Sequence, residues 1–270
     1  MYRNYVFDFY GTLADVCTDE GAPELWEKMS EIYGALGAVY GARELQGEFR
    51  RLEREERERR FEGYCHGESG SEDVRLFARD GLQVSGGERD RLKTEDVEPD
   101  LTKVFGLLYH GKNVFCDAAQ ARMTAIVFRA LSRKFLRVYD GVEEFLEKLR
   151  KRGKRVYLLS NAQADFTRPE IEMLGLAHYF DGIMLSSEQG CKKPSPVFFR
   201  RLLEQYGLEP SESIMIGNDE AADIAGARNV GMDTLYIHTE ISPKEYGNVL
   251  ATYRVMDGDF RKIGGLILKE

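Results

Sequence analysis

Residues 5–13 have the sequence YVFDFYGTL, in which aromatic and β-branched residues surround one carboxylate and lead to a glycine. This composition is typical of a buried strand, and Gly11 is where we expect the chain to turn away. Asp8 would then lie at the end of that strand. A charge there is costly unless it binds a metal, pairs with a cation or takes part in chemistry. The alternative is a helix cap or a turn residue after an edge strand, and Asp8 taken alone favours that alternative.

The composition is that of an ordinary globular protein and argues against several classes of function. The 270 residues carry a formal net charge of -8, which disfavours a surface that binds nucleic-acid phosphates. The four cysteines and four histidines are scattered, so neither a disulfide framework nor a histidine metal site is predicted. No apolar run reaches the roughly 18 residues of a membrane span, and no signal-peptide pattern is present. We therefore expect a cytoplasmic protein without membrane or nucleic-acid partners, and the sequence does not indicate its oligomeric state.

Residues 16–136 are predicted to form an all-helical unit, because apolar residues recur at helical spacing along most of this segment. Helices are expected from about residue 22, over 42–61, from about residue 101 and over 118–136, with a short helix at 74–77. The arginines of the second helix alternate with glutamates at helical neighbour spacing. This pattern favours a salt-bridged surface over a nucleic-acid contact.

From residue 139 onward, strand-like runs alternate with helical segments. The predicted strands are 156–159, 182–185, 213–216, 234–237 and 253–256, and the predicted helices are 142–152, 168–174, 196–206 and 221–229. This alternation predicts a parallel sheet covered by helices on both faces. The first strand can join that sheet only if the helical unit is an insertion. We therefore predict a Rossmann-like, doubly wound α/β core of residues 1–15 and 137–270 with an inserted helical domain of residues 16–136.

Polar side chains follow four of the predicted strands. They are Asp8 and Tyr10, then Ser160 and Asn161, then Lys192 and Lys193, then Asp219 and Asp223. Each has an ordinary structural explanation by itself, such as a helix cap or a solvated helix start. Because the carboxyl ends of parallel strands meet at one edge of a sheet, we expect the set to converge there. The combination, rather than any single residue, predicts a functional site.

The motif order resembles the haloacid dehalogenase-like (HAD) hydrolase superfamily. The resemblance covers residues 3–16 and 139–237 and is carried by DFYGTL, LLSN, KKPSP and IGND, with Asp223 downstream. It implies a helical cap inserted after the first motif, which agrees with the helical segment predicted above. It also implies that Asp8 is a nucleophile, that Ser160 and Asn161 contact the substrate, and that Lys193, rather than Lys192, neutralises charge between nucleophile and substrate.

The resemblance further implies a Mg²⁺ ion held by Asp8 and the backbone carbonyl of Tyr10, with Asp219 and Asp223 binding it directly or through water. Hard oxygen ligands suit magnesium. A cation and a lysine would offset the repulsion between a carboxylate and an anionic phosphoryl group. Attack by the carboxylate would give an aspartyl-phosphate that water hydrolyses. The expected partner is a small anionic substrate.

Two departures from the family pattern leave the reaction open. Phosphatases of the family carry a second aspartate where this chain has Tyr10, whose ordinary pKa near 10 suits a general base poorly. That tyrosine resembles the metal-independent 2-haloacid dehalogenases, in which a carboxylate displaces halide. Asp219 and Asp223 instead favour a Mg²⁺-dependent phosphatase, because uncompensated carboxylates near Asp8 would repel one another. We favour the phosphatase, with the dehalogenase as the alternative and a non-catalytic binding protein third. Arg129 and Arg133 could reach a substrate, but we favour a solvated or hinge role for each.

Overall fold

The computed structural model describes residues 2–66, 92–243 and 249–268, with His66 described by its backbone alone. The first half of the chain begins and ends in strands that enclose helices. Its elements are β1 (Asn4–Phe7), β2 (Ala14–Thr18), α1 (Pro23–Ala35), α2 (Ala42–His66), α3 (Leu101–His110), α4 (Ala118–Ser132) and β3 (Arg133–Val138). The short helix predicted at 74–77 lies outside the described residues.

The second half of the chain alternates strands and helices. Its elements are α5 (Val142–Lys151), β4 (Arg155–Ser160), α6 (Ala164–Met173), β5 (Gly182–Leu185), α7 (Ser186–Gln189), α8 (Pro196–Tyr206), β6 (Ser213–Gly217), a π-helical turn (Glu220–Ala225), α9 (Gly226–Arg228), β7 (Asp233–Ile237), β8 (Tyr253–Val255) and α10 (Arg261–Ile267). Every strand predicted for this half is present, which confirms the α/β fold class.

Six of these strands form one sheet in the order β5-β4-β1-β6-β7-β8, and all neighbouring pairs are parallel. β1 lies in the middle, with Phe7 opposite Leu158 of β4 and Ile216 of β6. The chain leaves the sheet after β1 and returns to it only at β4. The doubly wound order therefore brings the ends of β1, β4 and β6 side by side, as the motif positions predict.

Helices cover both faces of the sheet, and alternate residues of β1 point to opposite faces. Phe7 packs on one face with Phe145 of α5 and Phe260. Val6 packs on the other face in a cluster that contains Phe198 of α8. This two-sided burial explains why β1 is almost continuously apolar.

A third apolar cluster lies among the helices between β2 and β3. Trp26, Phe49 and Phe128 pack together there, and Phe166 of α6 stacks on Phe128 with ring centroids 6.3 Å apart. Conversely, Val97 from the inserted segment is buried in a cluster of the sheet. Each of the two parts thus contributes a side chain to an apolar cluster of the other.

The boundary itself differs from the expected all-helical segment. The helix expected over 118–136 ends at Ser132, and β3 follows immediately and pairs antiparallel with β2. Residues 16–18 and 133–136 are therefore strand rather than helix. An isolated two-stranded ribbon has little sequence signal of its own, because its stability depends on neighbouring structure.

Smaller differences occur near the end of the chain. The helix expected over 221–229 consists of the π-helical turn Glu220–Ala225 and the short α9. α10 was not predicted. No helix in the described ranges is both long enough and apolar enough to span a membrane.

Candidate active site

Asp8, Lys193 and Asp223, which we call the nucleophile cluster, meet at the carboxyl edge of the sheet. Lys193 Nζ lies 2.7 Å from Asp8 Oδ1 and 2.7 Å from Asp223 Oδ1, and it donates a hydrogen bond of 2.7 Å to the carbonyl of Leu159. Lys193 is 2 % exposed and Asp223 only 1 %. Lys193 thus contacts Asp8, which follows β1, and Asp223, which follows β6, so residues from distant parts of the sequence meet as expected.

The last residue of β4, Ser160, and the next residue, Asn161, complete the arrangement. Ser160 Oγ donates a hydrogen bond of 3.1 Å to Asp8 Oδ1. The Asn161 amide makes two hydrogen bonds to the backbone of Lys193, donating to its carbonyl at 2.9 Å and accepting from its N–H at 2.8 Å. Asn161 therefore fixes the loop that carries Lys193, while Ser160 forms a hydrogen bond with Asp8 directly.

The turn at Gly11 brings the first motif against the loop after β6. Gly11 has φ +84°, and a Cβ atom there would lie 2.2 Å from Asn218 Nδ2. Thr12 Oγ1 donates to Asn218 Oδ1 at 3.4 Å within this contact. A side chain at position 11 is therefore excluded both by the left-handed backbone and by the close approach of Asn218.

Asp219 and Asp223 have different roles in the loop after β6. Asp219 Oδ1 accepts hydrogen bonds of 2.9 and 2.8 Å from the N–H groups of Ala221 and Ala222, so it caps the following turn. Asp223 Oδ2 accepts from the Asp219 N–H at 3.0 Å, and its Oδ1 faces Lys193. A Cβ atom on Gly217 would lie 2.2 Å from Asp223 Oδ2, so only glycine at that position leaves room for the Asp223 carboxylate.

The nucleophile cluster holds two carboxylates against one ammonium group. The pKa of Asp223 is raised to about 7: burial is the largest cause and the Asp8 charge adds to it, while the Lys193 ammonium lowers it. For Lys193, burial lowers the pKa, but Asp223 and Asp8 together outweigh burial and leave it above its ordinary value. Although the Asp223 Oδ1 atom is close to Lys193 Nζ, it receives no well-aligned hydrogen bond from any described residue. One cation therefore leaves the two acids incompletely compensated.

The donor set around this cluster is compatible with magnesium. Asp8, Asp219 and the Tyr10 carbonyl offer carboxylate and carbonyl oxygens, which are the hard donors that Mg²⁺ prefers. Within the described part of the chain, no three His, Cys, Asp or Glu side chains are grouped as a ready-made metal site. That finding does not conflict with magnesium, which is commonly bound through one or two carboxylates, with waters and substrate phosphate completing the shell.

The Tyr10 side chain belongs to a second buried group, the Glu170 cluster, formed by Tyr10, Glu170, Arg129 and Arg133. The Tyr10 hydroxyl donates to Glu170 Oε2 at 2.5 Å and lies 3.0 Å from Thr167 Oγ1. Burial raises the pKa of Tyr10 well above its ordinary value, and the Glu170 charge adds to the increase. The phenol is therefore held protonated, which disfavours the general-base role.

Both arginines considered for substrate contact are bonded to Glu170 instead. Arg129 Nε and Arg133 Nη1 contact Glu170 Oε1 at 2.7 and 2.8 Å, and the Arg129 guanidinium lies 5.2 Å from the centre of the Tyr10 ring. Burial raises the pKa of Glu170, but hydrogen bonds from Arg129, Tyr10 and Arg133 outweigh burial and leave it below its ordinary value. The sequence analysis missed Glu170, since a lone acid within α6 matches no motif.

Comparison with known proteins agrees with this geometry. The family model for haloacid dehalogenase-like hydrolases matches residues 2–231. Phosphoserine phosphatase from Thermus thermophilus is 33% identical over 126 residues, which cover 47% of this chain and 50% of the relative. Glyceraldehyde 3-phosphate phosphatase from Pyrococcus furiosus is 32% identical over 124 residues, which cover 44% and 52%. The chain spans about half the length of the curated relatives it matches.

Solved structures share the fold along nearly the whole chain. The 2-haloacid dehalogenase from Pseudomonas syringae pv. Tomato superposes with a TM-score of 0.62 at 19% identity and covers 99% of both chains. A HAD phosphatase from Thermococcus onnurineus has a TM-score of 0.54 at 18% identity and covers 98% of this chain and 97% of its own. Identities this low establish the fold and not the reaction. The family match and the shared fold together show that the chain belongs to the haloacid dehalogenase-like hydrolases.

Proposed function

We propose that the protein is a Mg²⁺-dependent phosphatase that hydrolyses a small phosphorylated metabolite through an aspartyl-phosphate on Asp8. The observation that carries this proposal is the contact of Asp8 with both Lys193 and Ser160 at the carboxyl edge of the sheet. A carboxylate held between a cation and a hydroxyl donor is suited to attack an anionic phosphoryl group, because both neighbours offset the repulsion. The phosphatases among the curated relatives support this reaction class.

Each residue at the edge of the sheet has a part in the proposed reaction. Asp8 attacks phosphorus, Lys193 neutralises charge between the carboxylate and the phosphoryl oxygens, and Ser160 donates a hydrogen bond to a phosphoryl oxygen. Asn161 positions the Lys193 loop through its two backbone hydrogen bonds. Asp223 holds the Lys193 ammonium in place.

Magnesium would be held by Asp8, Asp219 and the Tyr10 carbonyl. When bound, it would supply positive charge to the phosphoryl oxygens and to the crowded carboxylates. Asp223, for which the resemblance implies a contact with the metal directly or through water, has Oδ1 2.7 Å from Lys193 Nζ and Oδ2 in a hydrogen bond with the Asp219 N–H. We therefore assign Asp223 an indirect role at the metal, through the position of Asp219 and Lys193.

The segment between β2 and β3 is proposed to be a cap that covers the substrate. Its helices form their own apolar cluster, and Arg129 joins them to the α/β part through Glu170. A cap over the carboxyl edge of the sheet would exclude bulk water during phosphoryl transfer. We propose residues 16–136 as this domain, with the ribbon of β2 and β3 as its connection to the core of residues 1–15 and 137–270.

A cytoplasmic location is part of the same proposal. Cys17, Cys65, Cys116 and Cys191 are all free thiols. Free thiols persist in reducing compartments, whereas secreted proteins commonly oxidise them. Small phosphorylated metabolites are the substrates that we expect for such a location.

A 2-haloacid dehalogenase is the second candidate, favoured by Tyr10, which lies two residues after the nucleophile, where the phosphatases carry an aspartate. One experiment separates the two reactions. Purified protein is assayed for phosphate release from p-nitrophenyl phosphate, with Mg²⁺ or with a chelator, and for halide release from 2-chloropropionate.

We expect phosphate release that requires Mg²⁺ and disappears in D8N, while D140N, which alters an exposed aspartate, retains it. Halide release that persists with the chelator would instead identify a dehalogenase. No turnover of either compound, together with no Mg²⁺ binding by calorimetry, would favour a binding protein.

A further inference from the structure

The hydroxyl proton of Tyr10 is committed to a buried acceptor. Its donor contact with Glu170 Oε2 is 2.5 Å, and the Thr167 hydroxyl lies 3.0 Å from the same phenol oxygen. Glu170 is only 1 % exposed. Two hydrogen-bonding groups therefore surround the oxygen that would have to deliver a proton to a leaving group.

The Glu170 carboxylate is held from its other side by the two arginines. Arg129 contacts Oε1 at 2.7 Å and Oε2 at 3.1 Å, and Arg133 contacts Oε1 at 2.8 Å. If Tyr10 turned its proton toward a substrate, Glu170 Oε2 would lose a donor while it stayed buried. Leaving a buried charged acceptor short of a donor is costly, so the observed arrangement resists that rotation.

We propose that Tyr10 is a positioning residue that Glu170 withholds from proton transfer, so that the site hydrolyses phosphorylated substrates whose leaving group departs unprotonated as a stable anion. Acyl phosphates and aryl phosphates are the classes with this property, and alkyl phosphates are not. This inference rests on the proposed phosphatase function and narrows its substrate class. The packing of Arg129 against the Tyr10 ring contributes to the same restraint.

The reaction balances without a proton from Tyr10. In the first step a bond forms between an Asp8 carboxylate oxygen and phosphorus. The bond from phosphorus to the leaving oxygen breaks, and its electron pair leaves with the carboxylate or phenolate. In the second step a water oxygen bonds to phosphorus while the bond to Asp8 breaks and returns its electrons to the carboxylate. Both hydrogens of the water remain on the released dihydrogen phosphate.

The test is the dependence of kcat/KM on the leaving group. The substrates are acetyl phosphate, a series of substituted phenyl phosphates of similar shape, and glycerol phosphate, all with saturating Mg²⁺. A general acid typically contributes about 100- to 10,000-fold. We therefore expect kcat/KM to fall steeply along the phenyl series as the leaving anion becomes more basic. The kcat/KM for glycerol phosphate should be at least about 100-fold lower than that for acetyl phosphate. A flat phenyl series, with glycerol phosphate as good as acetyl phosphate, would overturn the proposal.

The variant Y10F provides an independent test when its kcat/KM is measured with the same phenyl phosphates. If Tyr10 only positions its neighbours, Y10F shifts all phenyl phosphates by one common factor and leaves the steepness unchanged. If Tyr10 is the acid, the loss grows toward the poorest leaving groups, which contradicts the proposal. E172Q, an exposed substitution on the same helix as Glu170, is the matched control and should keep wild-type rates.

The wild-type series decides the question even if Y10F does not fold. Failure of this inference is distinguishable from failure of the proposed function. Turnover with a flat dependence removes only the restriction on substrates. No turnover of any phosphate removes the phosphatase and this inference with it.

Discussion

The nucleophile cluster and the Glu170 cluster meet at residues 8–10 and are balanced in opposite ways. The first holds two carboxylates against one ammonium group, with Lys193 2.7 Å from both acids. The second holds the Glu170 carboxylate against two guanidinium groups and the Tyr10 hydroxyl, and Arg129 also lies 3.7 Å from the half-exposed Glu20. Asp8, Lys193, Asp223, Glu170 and Arg129 are buried, whereas Tyr10 and Arg133 are partly exposed. Charges are screened least by solvent where they are buried.

The difference indicates which cluster carries chemistry and which carries structure. In the nucleophile cluster, burial raises the pKa of Asp223 to about 7, as expected where positive charge is insufficient. In the Glu170 cluster, hydrogen bonds outweigh burial and keep the pKa of Glu170 below its ordinary value. A site short of positive charge is suited to recruit a metal ion, whereas a site with all of its acceptors filled is suited to hold elements together. The following predictions separate these two behaviours.

The largest effect is expected for D8N. Loss of the proposed nucleophile should lower kcat for a phosphate ester by at least about 1,000-fold, as is typical when the attacking group is removed. Because the substitution also removes one of two acids that share a single lysine, we expect thermal unfolding at or above the wild-type temperature. A marked loss of stability would show that the nucleophile cluster is structural after all, and D140N serves as the control.

K193M should cost both activity and stability. It leaves Asp8 and Asp223 buried without their cation, and removal of one partner of a buried ion pair costs about 3–5 kcal/mol. Urea unfolding measures the change in the free energy of unfolding, and phosphate release measures activity. K192M is the matched control, since the neighbouring lysine is partly exposed. Equal effects of the two variants would contradict the assignment of Lys193.

E170Q should lower stability and leave the chemistry at Asp8 in place. The amide can still accept hydrogen bonds, but the charge between Arg129 and Arg133 is lost, so we expect a decrease of about 3 kcal/mol in the free energy of unfolding. E172Q should change that free energy by less than about 0.5 kcal/mol because its side chain is exposed. If E170Q unfolds like the wild type, the Glu170 cluster does not tie the helices between β2 and β3 to the α/β part.

The smallest effect is the pH dependence of the difference in unfolding free energy between the wild type and E170Q. The folded-state pKa of Glu170 lies below its ordinary value of 4.5, so the unfolded chain binds this proton more readily than the folded chain. The stabilisation is therefore complete above about pH 4.5 and is lost as the pH falls through the folded-state pKa. Unfolding free energies of wild type and E170Q should converge over that acidic range, and a constant difference would contradict the ion-pair explanation.

Strong local patterns made most of the fold predictable from the sequence. The strands from Arg155 onward alternate with amphipathic helices, and Asp8, Ser160, Lys193 and Asp223 converge as expected at the sheet edge. The ribbon of β2 and β3 was missed because its pairing is not local, and it replaces the last turn of a predicted helix.

Only the site residues that lie in sequence motifs could be predicted. Asp8, Ser160, Lys193 and Asp223 are brought into one set of contacts, as predicted. Their individual roles remain proposals. The position of Glu170 is set by tertiary packing of α6 against α4, so its partners Arg129 and Tyr10 were recognised separately and their connection was not.

The most direct test of the proposed reaction is detection of the covalent intermediate. The protein is mixed with an aryl phosphate and Mg²⁺, quenched in acid within one turnover, digested, and analysed by mass spectrometry. The proposal predicts the mass of one phosphoryl group on the peptide that contains Asp8, absent in D8N and absent when Mg²⁺ is chelated. Phosphate release without any phosphoryl group on that peptide, or a 2-chloropropionate-derived ester on Asp8 formed without metal, would contradict it.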